Sequence, residues 1–162
     1  MKTKTNAKLL ALALALVMTV LALASCTLDD FLNFRSPFDE GETCTVVVAN
    51  GDETKEYKAD LGKVEVKEGV FSVLEWLKSE GKLDFEAQDS AYGKLLTSVG
   101  DAKPQAANEF VLVMTSVEKD FDTSTYFKSI DYKGTKIGTS GLGASSMTVE
   151  AGAIYYFTVD SY

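Results

Sequence analysis

Two periods run through the chain, one of two residues and one near 3.6. Cys44-Thr-Val-Val-Val-Ala49 is followed by Asn50-Gly51 and then by Asp52 to Lys58. Strand formers flanking Asn-Gly predict a β-hairpin closed by a type I′ turn, whose two central residues both need positive φ. Lys63-Val-Glu-Val-Lys67 alternates apolar and charged side chains and predicts a half-buried extended piece. The period then changes in EGVFSVLEWLKSEGK, which predicts one short helix over about residues 73–80. Ser72 and Glu75 have capping-box spacing, Phe71 and Trp76 the staple spacing, and Gly81 supplies a left-handed stop.

Beyond Gly81 the pattern returns to strands at Leu83 to Ala87, Lys94 to Val99, Glu109 to Ser116, Tyr126 to Tyr132 and Ala153 to Val159. Phe110-Val-Leu-Val-Met114 is apolar throughout and predicts a central strand buried on both faces, while Ala153, Tyr155, Phe157 and Val159 alternate onto one face. Turn signals separate these runs at Lys103-Pro104, Lys133-Gly134 and Ala151-Gly152. The fold class expected is α+β, β-grasp-like, with a mixed or antiparallel sheet and one short capped helix.

The N-terminal pattern belongs to targeting. Lys2, Lys4 and Lys8 precede an apolar run from Leu9 to Ala24, the layout of a secretory signal over residues 1–25. The run is shorter than the roughly 20 residues of a spanning helix. Leu23-Ala24-Ser25-Cys26 resembles the lipobox of bacterial lipoproteins, which implies acylation of the Cys26 sulfur and cleavage before it. Attachment to the outer face of the bacterial cytoplasmic membrane is therefore expected, since more than one acyl chain is needed for stable anchoring. The competing reading is ordinary signal cleavage with Cys26 paired to Cys44. With Cys26 acylated, Cys44 has no partner and behaves as a small buried hydrophobe.

Thr27 to Glu42 is acidic, with one proline and scattered aromatics, and residues 26–42 read as a tether reaching on the order of 20–25 Å if flexible. Phe31, Phe34 and Phe38 are candidates for docking on the domain or the bilayer. Residues 43–162 form one domain. Loss of residues 1–25 removes three of 16 basic residues and no acidic one, leaving 13 against 24 and a net charge of −11. Such a surface repels nucleic acid.

The hairpin, helix and following strands bring out a family. Glu68-Gly-Val-Phe-Ser-Val-Leu-Glu-Trp-Leu77 and Gly143-Ala-Ser-Ser-Met-Thr-Val-Glu-Ala-Gly-Ala-Ile-Tyr-Tyr-Phe157 resemble the uncharacterised bacterial domain related to the C-terminal β domain of transcobalamin and intrinsic factor. The resemblance covers roughly Thr43 to Tyr162 and implies a β-grasp fold. In the transcobalamin group this domain helps enclose a corrinoid beside a larger helical domain; that helical partner is not expected here, and corrinoid binding is implied by analogy alone. Phe110 stands in the region where the family often carries tryptophan, and residues 117–125 read like an added loop.

Candidate chemistry is sparse. The sequence contains no histidine, so triad and metal-hydrolase schemes lack their usual base or ligand. Asp120, Asp122 and Ser124 have the alternate-oxygen spacing that begins a calcium loop. Thr125 occupies the place of its glycine and Asp131 that of its bidentate Glu, so a solvated hairpin loop is expected. Ser116 and Lys119 have the Ser-x-x-Lys spacing of acyl-serine enzymes, but the accompanying boxes are missing. Gly138-Thr-Ser-Gly-Leu-Gly143 is not placed between a strand and a helix and reads as a mobile loop. Tyr126, Tyr132, Ile154 and Tyr156 are candidates for a ligand-facing cluster, with core or edge packing as the competing reading.

The expectation is a non-enzymatic, cofactor-free binding module. Its partners would be the membrane, through the N-terminal lipid, and a small molecule, with a corrinoid-like one among the candidates, a glycan or a surface protein. The alternative is an adhesion or assembly subunit pairing through exposed strand edges.

Overall fold

The computed structural model describes residues 36–162 apart from Tyr92. The expected signal segment 1–25, Cys26 and the first part of the tether lie outside the described residues.

The first hairpin joins β1 (Thr43–Asn50) to β2 (Glu53–Asp60). Asn50 pairs with Glu53, so the two turn residues are Gly51 and Asp52 rather than Asn50 and Gly51. Positive φ is confined to Gly51, at +60°, the pattern of a type II′ turn. A single glycine suits either turn, and only the register separates them. The piece expected at Lys63 to Lys67 keeps its alternation, with Val64 buried and extended at φ −91° and ψ 123°, Val66 half-buried against the core and Glu65 exposed, but it joins no strand, and a 3-10 turn, Leu61–Lys63, leads into it. Asp60 accepts from the Gly62 amide at 3.2 Å, an N-cap that competes with extension. Leu61 and Val64 are still buried.

Helix α1 is Gly69–Ser79, beginning before the expected boundary. Ser72 is not its N-cap. Ser72 lies inside the helix, and its Oγ accepts from the amides of Lys67 at 3.1 Å and Glu68 at 2.8 Å. Glu68 is the N-cap and makes no side-chain cap bond, so Ser72 supplies the returning half of a capping arrangement. The early start depends on Gly69, whose φ is +49° and whose added Cβ would stand 2.5 Å from the Met147 carbonyl. The C-terminus follows expectation. Gly81 has φ +66°, its amide donates to the Lys78 carbonyl, and that of Lys82 donates to the Leu77 carbonyl, a Schellman closure.

The remaining strands are β3 (Phe85–Ser90), β4 (Gly93–Val99), β5 (Glu109–Thr115), β6 (Ser129–Tyr132), β7 (Thr135–Thr139) and β8 (Ile154–Ser161). Six of the strands form one sheet in the order β2-β1-β8-β5-β7-β6, in which β1 and β8 are parallel and the other neighbours antiparallel. β3 and β4 form a separate hairpin. The fold is therefore α+β, with one α-helix among the described residues. Helix α1 lays Val70, Phe71, Val73, Leu74 and Leu77 into the main core, which Val46, Val48, Tyr155 and Phe157 meet from the sheet. The Phe71 and Phe85 rings pack edge to face at 5.3 Å and join the β3–β4 hairpin to the helix.

The opposite sheet face carries a smaller cluster of Val47, Ala49, Met114, Ile137 and Tyr156. Strand β8 is thus buried on both faces, with Tyr155 and Phe157 in one cluster and Tyr156 in the other. The expectation of two buried faces on β5 holds only at its C-terminal end. β7 pairs with Met114 and Thr115 alone, and Phe110 is 36% exposed.

Strand β7 contains the first residues expected to form the glycine-rich loop. A Cβ on Gly138 would meet the Phe127 ring at 2.6 Å and the Phe121 ring at 2.9 Å, so the glycine admits an aromatic pair against the strand. β6 is shorter than the expected Tyr126 to Tyr132. Asp122 and Ser124 bind the amides of Ser124 and Tyr126, closing local turns in place of ladder bonds.

The end of the acidic segment is fastened to the domain. Ser36 Oγ donates to the Leu61 carbonyl at 2.6 Å, the Leu61 amide donates to the Glu42 carbonyl at 2.7 Å, and Phe38 packs against the main core. The folded unit accordingly runs from Ser36 to Tyr162, beyond the expected start at Thr43. Among the described residues no helix is long and apolar enough to cross a membrane.

Candidate binding pocket

The limited pairing of β7 with β5 leaves space beside the first half of β5. Phe110 and Leu112 project from β5 on one face, and Asp160 lies directly across the ladder from Phe110. Together with Tyr126, Lys128 and Tyr162 they line a pocket of about 440 Å³, with Asp122, Thr139 and Ser161 completing the wall. That volume falls within the range of small-molecule sites.

The aromatic side is held in place. The Tyr162 ring stacks on Phe110 with centroids 6.1 Å apart and planes 23° from parallel. Its hydroxyl donates to the Ala107 carbonyl at 3.1 Å and its amide to the Asn108 carbonyl at 3.2 Å. Tyr162 nevertheless remains 86% exposed, and Tyr126 82%.

The polar side is also fixed. Lys128 Nζ is ion-paired with Asp160 Oδ2, and Asp160 Oδ1 accepts from the Ser161 amide at 2.9 Å. The hydrogen bond from Lys128 is the main reason the Asp160 carboxyl is held below its ordinary pKa. Asp122 accepts from Ser124 Oγ at 2.6 Å and from the Ser124 amide at 2.8 Å, and the hydroxyl bond is the largest cause of its lowered pKa. The Lys128 amide donates to Thr139 Oγ1 at 3.1 Å, which ties the lysine to β7. A donor and an acceptor therefore sit side by side next to exposed rings.

The structure divides the four sequence candidates. Tyr132, Ile154 and Tyr156 gather in or against the smaller cluster, where the Tyr132 and Tyr156 rings meet at 5.6 Å. Burial raises the Tyr156 phenol pKa. Tyr126 stands apart on the turn beside the pocket. Sequence reading missed Phe110, Leu112, Lys128, Asp160 and Tyr162 as site residues. The continuous apolar run made Phe110 read as buried, and its partner Asp160 is set by long-range register.

The spacing of Asp120, Asp122 and Ser124 does not become one site. Asp120 is buried, and its carboxylate accepts from the Thr148 amide at 2.6 Å and the Thr148 hydroxyl at 3.0 Å. Asp122 and Ser124 bind each other instead. Among the described residues no three His, Cys, Asp or Glu side chains are grouped as a metal would need.

Ser116 Oγ accepts from the Ile154 amide at 2.9 Å, while Lys119 pairs with Glu150 at 2.6 Å. Both have structural partners. Cys44 is free and buried, and burial pushes its thiol pKa up to about 12, the reverse of nucleophile activation.

No protein-family model matches the chain. No curated protein matches it. A crystal structure described as a "putative metal binding protein" from Ruminococcus gnavus is similar to 75% of this chain and 98% of its own, with 16% identity and a TM-score of 0.47.

Proposed function

We propose that the protein is an exported lipoprotein whose folded unit is a non-enzymatic binding module, with the pocket beside β5 as its ligand site. The observation carrying this reading is the pocket itself: exposed aromatic rings and a preformed Lys128–Asp160 pair line the same 440 Å³ space. Small-molecule sites combine apolar walls with a few fixed polar groups in this way. Ser116 and Lys119, the sequence's nearest approach to catalytic spacing, are engaged elsewhere.

The β-grasp reading draws support from strand order. A first hairpin, a helix, and the parallel β1–β8 pair inside the sheet fit it. The resemblance to the transcobalamin β domain makes a corrinoid one probe among several. Attachment through acylated Cys26 at the outer face of the cytoplasmic membrane rests on the lipobox resemblance. The alternative of assembly through strand edges is disfavoured by Lys55, Glu56 and Lys58 on edge strand β2, because charged edges discourage pairing.

The test is ligand-detected NMR on the full chain with a fragment library, a corrinoid and simple sugars. The reading expects at least one compound to receive saturation from the protein and to lose it in Phe110→Ala, with the variant's fold checked by circular dichroism. Absence of any compound sensitive to Phe110→Ala would count against the pocket.

A further inference from the structure

Resting on the binding-module reading, we infer that the pocket takes a neutral saccharide, with one sugar ring lying on the exposed face of Tyr162 and adjacent hydroxyls meeting Lys128 and Asp160. The ring platform comes first. Tyr162 is stacked on Phe110 and tied at both its hydroxyl and its amide, yet 86% of it is open to solvent. A large amphipathic face already held in position loses little conformational entropy when something settles on it. The C–H face of a pyranose is the apolar half of an otherwise polar ligand and suits such a surface.

The polar groups select among ligands. Lys128 donates to Asp160, so an ammonium donor and a carboxylate acceptor are neighbours. A pair of adjacent sugar hydroxyls can accept from one and donate to the other, because each hydroxyl does both. Asp122, fixed by its two bonds from Ser124, adds a second acceptor on the same wall.

Charge narrows the class further. Two carboxylates face one lysine in the pocket, which disfavours an anion. A cationic ligand would have to compete with Lys128 for Asp160, which it already holds. A neutral polyhydroxylated ring uses all three groups without displacing any charge. The volume of about 440 Å³ limits direct contact to a short stretch of glycan.

The experiment is isothermal titration of the full chain with neutral trisaccharides of glucose, mannose and N-acetylglucosamine, with choline as the cationic control. At least one sugar should bind. Tyr162→Ala and Asp160→Asn should each weaken it about tenfold or more, while Tyr162→Phe, which keeps the ring but loses the bond to the Ala107 carbonyl, should weaken it less than Tyr162→Ala does. No sugar binding, sugar binding indifferent to Tyr162→Ala, or choline binding in place of sugar would each overturn the saccharide assignment. If another compound still loses its signal in Phe110→Ala, the broader pocket reading stands and only the saccharide is wrong.

Discussion

Tyr132 on β6 donates a hydrogen bond to Glu56 on β2 with the oxygens 2.6 Å apart, joining the two outer strands of the six-stranded sheet. Lys133 reaches the same Glu56 oxygen at 2.5 Å. These contacts close the two sheet edges over the face away from the helix, where Met114, Ile137 and Tyr156 are buried. Both Lys133, φ +54°, and Gly134, φ +81°, have the positive φ of a type I′ turn, which aims the lysine at β2.

This clasp should carry a pH signature. The bonds from Lys133 and then Tyr132 hold the Glu56 pKa below its ordinary value of 4.5. A depressed carboxyl pKa contributes stability above the unfolded value, and that contribution is lost as pH falls through the folded value. Thermal melts of the parent and Glu56→Gln should therefore differ at neutral pH and converge below pH 4.5. The difference should be small, because the pair is largely wet. A gap that widens in acid would contradict the assignment.

Gly69→Ala should be among the more damaging small substitutions. The left-handed backbone and the 2.5 Å approach to the Met147 carbonyl both oppose a Cβ. Denaturant unfolding should show a loss of roughly 2–4 kcal/mol, combining the conformational cost with overpacking. Gly81→Ala shares the positive φ but has open space around it and should cost less. Equal losses at the two sites would show that the contact with Met147 contributes little.

Much of the fold was legible in the sequence because it follows local periodicity. The β1–β2 hairpin, the helix stop at Gly81 and the inward set Tyr155 and Phe157 all arise within short windows. The errors came from partners distant in sequence. Ser72 had the correct chemistry for a cap, but Gly69 beneath the Met147 carbonyl moved the helix start upstream. Strand β7 was hidden because Gly138 resembles a loop residue until Phe121 and Phe127 are laid against it. Pocket residues Phe110 and Asp160 meet only through the β5–β8 ladder, so period alone could not bring them together.

Asp120 should act as a structural acceptor. Replacing it by alanine leaves the Thr148 amide without its partner, and denaturant unfolding should show a loss of about 1–3 kcal/mol. Millimolar calcium should leave the parent's melting temperature unchanged, since Asp120 and Asp122 serve different partners. A calcium shift abolished by Asp122→Asn would restore the metal reading.

Cys44 should resist thiol reagents until the protein opens. It is 1% exposed, and burial holds the thiol protonated at neutral pH. Mass-spectrometric mapping after alkylation should find Cys44 labelled in step with denaturant unfolding. Rapid labelling in native buffer would place the strand in a locally open state.

Amide chemical-shift mapping tests the pocket between β5 and the turn at Tyr126. Isotopically labelled full chain would be titrated with the neutral trisaccharides. The largest shifts should fall at Phe110, Lys128, Asp160 and Ser161, with helix α1 and the β3–β4 hairpin quiet. Shifts concentrated on the helix or that hairpin, or none anywhere, would contradict a ligand site in the pocket.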